Sequence, residues 1–378
     1  FVGETVETPV VSTNDRTAKL HCRDFLDRIW NFPLEATVMY TDKRTDEVLT
    51  SLFALYGITS DQVDFQRGIN IIAFAYFKKG DKLGPIIQKL CEAELGWLYL
   101  DESGIIKFEN RSGWLLRDTV ILDITDSLVI TEKTPTTQHI INVAEITAHP
   151  RTVRDEQQIW SKDTAEELPT GGDTVFFADY ADPVTSVTTP TDGGANSNYL
   201  VNEAADGSGA DRTGDVTFAI VNYAESSKIT ITNNTGTTLY LTSLNIWGTP
   251  AKITGADGEG IFYRTQDDTS VDEFEEQVVK INNDFIQDTD DASTIATLLI
   301  EDRKTMSSYV ELTIPAQPYL QIGDLVTRNS QEYNIQRITT SLSADDGFIQ
   351  TLTLVNRTIR EYFTLDLSEL DGVAVLLP

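Results

Sequence analysis

Glu311 to Thr358 reads ELTIPAQPYLQIGDLVTRNSQEYNIQRITTSLSADDGFIQTLTLVNRT and parses into four β-strands punctuated by two unlike turns. Pro315 and Pro318 end the first strand, Tyr309 to Ile314, because neither proline can donate to a sheet ladder. Gly323-Asp324 turns the chain, and Leu325 to Arg328 with Glu332 to Ser343 read as a hairpin. Along the second of these the apolar phase moves from Tyr333 and Ile335 to Ile338 and Leu342. A one-residue change of phase predicts a β-bulge near Gln336. Ala344 to Gly347 makes the next turn, and Phe348, Leu352 and Leu354 carry the inward face of the last strand. The pattern predicts part of a small antiparallel barrel, with no catalytic residue type standing out in it.

The 378 residues and 40% apolar content suffice for two or three domains with cores of their own. No apolar run approaches the roughly 20 residues that span a bilayer. The formal charge of −30 and pI near 4.3 argue against binding nucleic acid through its phosphates, which requires Lys and Arg to displace counterions. Cys22 and Cys91, far apart and flanked by apolar residues, read as buried free thiols. FVGETVE at the start reads as a strand that pairs with Thr17 to Cys22, the end of a unit whose earlier strands lie upstream.

Three helices follow. Phe25, Leu26, Ile29 and Trp30 form one apolar stripe; Thr45 caps a second helix with Asp46 and Glu47 in its first turn and Gly57 at its end; Pro85 opens a third, stopping at Gly96. Trp97 to Leu100 and Ile105 to Glu109 form a hairpin, which completes an α+β module over residues 38–112. From Glu166 to Gly260 the composition shifts to Thr, Gly, Asp and Asn. Short alternating segments such as GDTVFFADY and TTLYLTSLNIWG predict an inserted small β-sandwich, with Asn233 to Gly236 as a hairpin turn. Ser270 with Glu273 reads as a capping box, and Asp291 caps a longer helix that turns Ile295, Leu298, Leu299 and Met306 inward.

The search for chemistry returns no constellation. His21, His139 and His149 stand in no metal spacing, and no phosphate loop, nucleophile elbow or zinc-protease motif is present. Asp206 to Asp211 and Asp257 to Gly260 lack the twelve-residue calcium pattern and read as turns. Adjacent acids such as Glu275 and Glu276 are commonplace among 59 acidic residues. These readings predict no enzyme, no cofactor and no metal. Aromatic residues are frequent in the insertion, and alternating aromatics in a sandwich are mostly core. Trp247 and Tyr240 are the candidate glycan contacts there.

Asp268 to Val271, Ile281 to Gln287, the helix DDASTIATLLIEDRK and then VELTIPAQPYLQIGDLV succeed one another in an order that resembles the tail hub proteins of long-tailed bacteriophages, related to hubs of contractile injection systems. FAYFKKGDKLGPIIQKLCEAELGWLYLDESGIIKFENR, from Phe74 to Arg111, and IINVAEITAHP, from Ile140 to Pro150, resemble two further modules of that family. The likeness spans roughly residues 1 to 155 and 260 to 372. One departure is Phe274-Glu275, where family members usually show Tyr-Gly. The resemblance implies an α+β, mainly β chain. Residues 1–37 end a first tube-like antiparallel β-barrel, and 113–155 with 306–362 form a second; 166–260 is inserted, 261–305 connects, and 363–378 extends the C-terminus. It implies a structural virion protein assembled in the bacterial cytoplasm, a homotrimer at the tail tip or baseplate. Tube or distal tail rings lie above, tip or fibre proteins lie below, and genomic DNA passes through unbound. A host-surface glycan-binding module is the alternative function, and a tail-associated cell-wall hydrolase a further one.

Overall fold

The structure is a computed structural model that describes residues 3–5, 10–12, 17–19, 22–101, 103–113, 117–133, 140–191, 198–254, 259–305, 309–343 and 347–356. Tyr309–Pro315, Leu325–Arg328, Gln331–Ser343 and Gly347–Asn356 are its closing strands. Leu325–Arg328 and Gln331–Ser343 pair across Asn329 and Ser330, whose positive φ values of 52° and 65° suit a two-residue hairpin turn. The register slips between Ile335 and Arg337, so the bulge falls on Gln336. Leu312, Ile314, Val326, Ile335, Leu352 and Leu354 are buried on one face of this sheet.

These strands do not form a barrel. The sheet runs in the order Val120–Asp123, Leu325–Arg328, Gln331–Ser343, Gly347–Asn356, Tyr309–Pro315, Thr131–Lys133, and its two end strands do not pair with each other. Val120–Asp123 lies parallel to its neighbour and Thr131–Lys133 antiparallel to its own, so both end strands point the same way. Parallel partners need a crossover of about a dozen residues or more, and only residues 124–130 join these two. The connection instead spans the gap. Ile124 N donates to Thr327 O and Ile130 N to Thr313 O, each at 2.8 Å. The buried Arg328 guanidinium donates to Ile124 O at 3.2 Å, Asp126 at 2.6 Å and Glu132 at 2.9 Å. At the N-terminus, Gly3–Thr5 pairs with Cys22–Asp24 and Val10–Ser12 with Thr17–Lys19, two separate two-stranded sheets. Among the described residues no sheet closes, and the fold is α+β with open sheets.

One core takes in helices Thr45–Tyr56 and Leu83–Glu94, strands Ile71–Ala75, Ile106–Glu109 and Val143–Ala148, and helix Thr289–Arg303. Val143–Ala148 is the middle strand of a three-stranded sheet, antiparallel to Ile261–Gln266 and parallel to Val278–Asn282. Helix starts fall earlier than the sequence suggests. Asp267 Oδ1 accepts from Ser270 N at 2.9 Å and Asp288 Oδ1 from Asp290 N at 2.7 Å, so these aspartates, not Ser270 and Asp291, are the caps. Arg44 occupies the cap position before Thr45, and its N–H donates to Glu47 Oε2 at 3.0 Å. Leu95, not Gly96, takes the left-handed position after Leu83–Glu94; Gly96 is small because a Cβ there would stand 2.7 Å from Glu109 O. Ile295 is buried, Leu298 and Leu299 are half-buried, and Met306 lies outside the described residues.

Glu275 adopts φ 59° and ψ 174°, a region essentially reserved for glycine. Glu275 is thus a strained residue, held in place by Asn142 Nδ2 donating to Glu275 O at 2.8 Å. Glu275→Gly should therefore stabilise the protein by about 1 kcal/mol despite glycine's greater unfolded-state entropy. A lower urea midpoint in the variant would refute the strain argument.

In the inserted region the 15-residue strand Leu239–Ile253 pairs successively with Arg151–Val153, Gln157–Lys162, Glu166–Leu168, Val184–Thr188 and Tyr199–Asn202. A second sheet, Asp173–Asp179, Ser226–Asn233 and Val216–Asn222, shares its core, in which Leu168, Tyr199, Ile229, Ile231, Leu241 and Ile246 are buried. Asn233 to Gly236 turns the chain between these two sheets and makes no hairpin. The buried Asn233 amide donates to Leu168 O at 3.0 Å and Thr237 O at 2.8 Å, which fixes that corner.

Candidate functional site

Trp247 and Tyr240 share the strand Leu239–Ile253, whose inward positions are Leu239, Leu241, Leu244 and Ile246. Both point away from that core. Trp247 is 36% exposed and Tyr240 is half-buried. Seven positions of strand separate them by about 20 Å, so they do not make one stacking platform. His21, His139 and the turns at 344–346 and 255–258 lie outside the described residues. His149 is buried, with Nε2 at 2.6 Å from Asn282 Oδ1, a structural placement. Burial pushes the Cys91 thiol up to about 12, with Glu94 adding to it, which leaves it protonated and unreactive. Among the described residues no three His, Cys, Asp or Glu side chains gather as a metal site, and no helix is long and apolar enough to cross a membrane.

What the structure does assemble is a set of buried or half-buried charges joining elements distant in sequence. Glu94, fully buried, accepts from Thr45 Oγ1 at 2.8 Å, Ile69 N at 2.7 Å and Asn70 N at 2.9 Å. It ties the start of one helix, the end of another and the entry to Ile71–Ala75. Arg117 pairs with Glu109 and donates to Tyr99 Oη at 3.4 Å; its other nitrogen reaches Ile322 O at 3.3 Å and Asp324 at 3.4 Å. It links the helical core to the six-stranded sheet, and Gly323 leaves it room, since a Cβ there would stand 2.8 Å from its Nη1. Arg111 pairs with Asp291 at 3.6 Å across the same core. The sequence held one clue to these joints. Glu94 follows Ile87, Leu90 and Cys91 on the apolar stripe of its helix, an inward phase that an acid occupies only when partnered.

A cavity of about 330 Å³ lies where the helical core meets the inserted strands, lined by Phe74, Tyr76, Phe77, Phe285 and Arg151 among others. Lysines on its rim are already paired: Lys89 with Asp284 and Lys78 with Glu225, both at 2.9 Å. Burial works to raise the Asp284 carboxyl, but Lys89, His149 and Arg151 together hold it below its ordinary value. Arg151 lies 5.4 Å over the Tyr76 ring and donates to Ala251 O at 3.4 Å, while its Nε is buried with no hydrogen-bond partner. Burial pushes the Tyr76 phenol up to about 12, against the lowering pull of Arg151.

No family model and no curated protein matches the chain. Among solved structures the chain is similar to three tail or virion chains at low identity. The 43 kDa tail protein of prophage MuSo2 from Shewanella oneidensis is 12% identical, with a TM-score of 0.47 over 92% of this chain and 76% of that one. A chain of the native gene transfer agent virion is 10% identical, with a TM-score of 0.41 over 83% of this chain and 47% of that one. The likeness of fold rests on the tail protein from Neisseria meningitidis MC58, 8% identical, with a TM-score of 0.50 over 95% of this chain and 79% of that one.

Proposed function

We propose that this chain is a structural protein of a phage-like tail, and within that class the hub at the tail tip. The carrying observation is the likeness of fold to the Neisseria tail protein along nearly the whole chain. The order of segments from Asp268 to Val326 supports the narrower reading, because it resembles hub proteins in particular. Arg117 joins the strands Trp97–Leu100 and Ile106–Glu109 to the turn before Leu325–Arg328, while Glu94 and Arg328 fix the helical core and the ends of the six-stranded sheet from within, a rigidity that suits a load-transmitting ring component. The charge of −30 suits a wall that repels the DNA polyanion and lets it slide. In this reading three copies form a ring between tube proteins and tip or fibre proteins. Light scattering after size exclusion should give three times the 42.0 kDa chain mass. A monomer at every concentration up to the solubility limit would remove the hub reading.

A further inference from the structure

The three-stranded sheet of the inserted region ends on one side in Asp173–Asp179, which pairs only with Ser226–Asn233. Its other edge is open. Tyr180 N donates to Glu225 O and Asn233 N to Gly172 O, so along this antiparallel ladder the even-numbered residues bond inward to Ser226–Asn233. The backbone N–H and C=O groups of Asp173, Val175, Phe177 and Asp179 therefore point to the open edge, and among the described residues none of them has a partner. The same four residues carry the solvent-facing side chains, because Thr174, Phe176 and Ala178 turn towards the core. Val175 is 45% exposed and Phe177 66%. Edge strands are ordinarily shielded by charge, proline or a covering segment. Here the charges, Asp173 and Asp179, stand only at the two ends, about 20 Å apart. On the adjoining strand the residues of the same face, Thr232, Thr230, Lys228 and Ser226, are all polar. Exposed apolar side chains and unused backbone hydrogen bonds thus coincide on one strand.

We propose that Asp173–Asp179 is a docking edge for a β-strand of a different protein, one with a basic residue at each end and apolar residues at the two alternate positions between. The incoming backbone completes the ladder with the four outward residues. Its same-face side chains then meet theirs at about 5 Å: Lys or Arg against Asp173 and Asp179, apolar groups against Val175 and Phe177. A second copy of this chain supplies no such strand. Arg111 and Arg117 are the sole basic residues six positions apart, and Gly113 stands at one of the places that needs an apolar side chain. Two copies meeting edge to edge would also set Asp173 of each against Asp179 of the other, like charges directly opposed. The docking edge does not depend on how copies of the chain assemble into a ring.

Fluorescence anisotropy on the full chain tests the assignment, with a labelled peptide Gly-Lys-Thr-Val-Thr-Val-Thr-Lys-Gly and a twin carrying Glu in place of both Lys. The lysine peptide should bind saturably, and the glutamate twin about tenfold more weakly or worse. On binding, amide exchange over residues 173–179 should slow about tenfold or more, because the outward N–H groups gain partners. Asp173 also accepts from Thr232 Oγ1 at 2.6 Å, so Asp179 is the cleaner position to change. Asp179→Lys should shift the ratio of the two affinities about tenfold towards the glutamate peptide. Val175→Pro removes one outward N–H without touching the inward ladder, and should weaken the lysine peptide about tenfold. Equal binding of the two peptides to the unaltered chain, binding that leaves exchange over 173–179 unchanged, or no binding would overturn the proposal whether or not either variant folds. Self-association of the chain that Val175→Pro abolishes would give the edge to a second copy and overturn it too.

Discussion

Glu94→Ala should cost about 3 kcal/mol of stability, because it strips the partner from two buried backbone N–H groups and a hydroxyl at once. Buried donors left unpaired carry their full desolvation cost, and the void left behind adds a cavity term. The loss is local to the helical core. Amide exchange at Ile69 and Asn70 should accelerate by about a hundredfold, while strands such as Gly347–Asn356 keep their protection. The effect also depends on pH. Burial, opposed by hydrogen bonds from Ile69, Asn70 and Thr45, holds the Glu94 carboxyl above its ordinary value of 4.5. The folded state therefore binds more protons than the unfolded state between 4.5 and the raised value, and stability from this group is full below that window and lost as pH rises through it. The penalty of Glu94→Ala should be largest on the acid side and shrink towards neutral pH. Glu94→Gln keeps the shape and should abolish the slope. An unchanged pH profile in either variant would show that Glu94 does not titrate in this range.

The sequence disclosed what is local and periodic. The bulge at Gln336 was legible because side chains alternate strictly along a strand, so a phase change has one meaning. The hairpin around Asn329-Ser330 and the helices over Thr45–Tyr56 and Leu83–Glu94 were legible for similar reasons. Barrel closure was not. It depends on the direction in which Val120–Asp123 and Thr131–Lys133 run and on the short link between them, and alternation is blind to both. Caps slid by one to three residues because several acids and hydroxyls cluster before each helix, and the sequence does not rank Asp267 above Ser270 or Asp288 above Asp291. The site was the least legible part. Arg151 follows Pro150 in a segment with no motif, and its meaning comes from Tyr76 and Phe285, brought to it by the fold. Trp247 and Tyr240 drew attention by residue type, and the strand that carries them holds them apart.

Gly260→Ala should cost about 3 to 4 kcal/mol, from two independent sources. Gly260 has φ +91°, where an L-residue bears about 1–2 kcal/mol of strain. A Cβ there would also overlap the carbonyl oxygen of Ala148 and stand 3.0 Å from His149 Nδ1, and neither atom has slack. Ala148 is paired with Ile261 in the ladder, and His149 is held by its N–H to Ile286 O at 2.7 Å and by Asn282. Backbone, not a flexible side-chain tip, would have to yield. Gly57 separates the two contributions, because its φ is +90° and a Cβ there meets nothing within 4 Å. Gly57→Ala should therefore cost only the conformational part, about 1–2 kcal/mol. The position gives the larger effect a structural consequence: Ala148 and Ile261 are the last paired residues before the chain leaves for, and after it returns from, the inserted sheets. In Gly260→Ala the amide of His149 should lose protection and protease cleavage should appear first near residues 149–153, with the helix Leu83–Glu94 still protected. Equal costs at Gly57 and Gly260 would mean that the strand junction relaxes freely around the new methyl group.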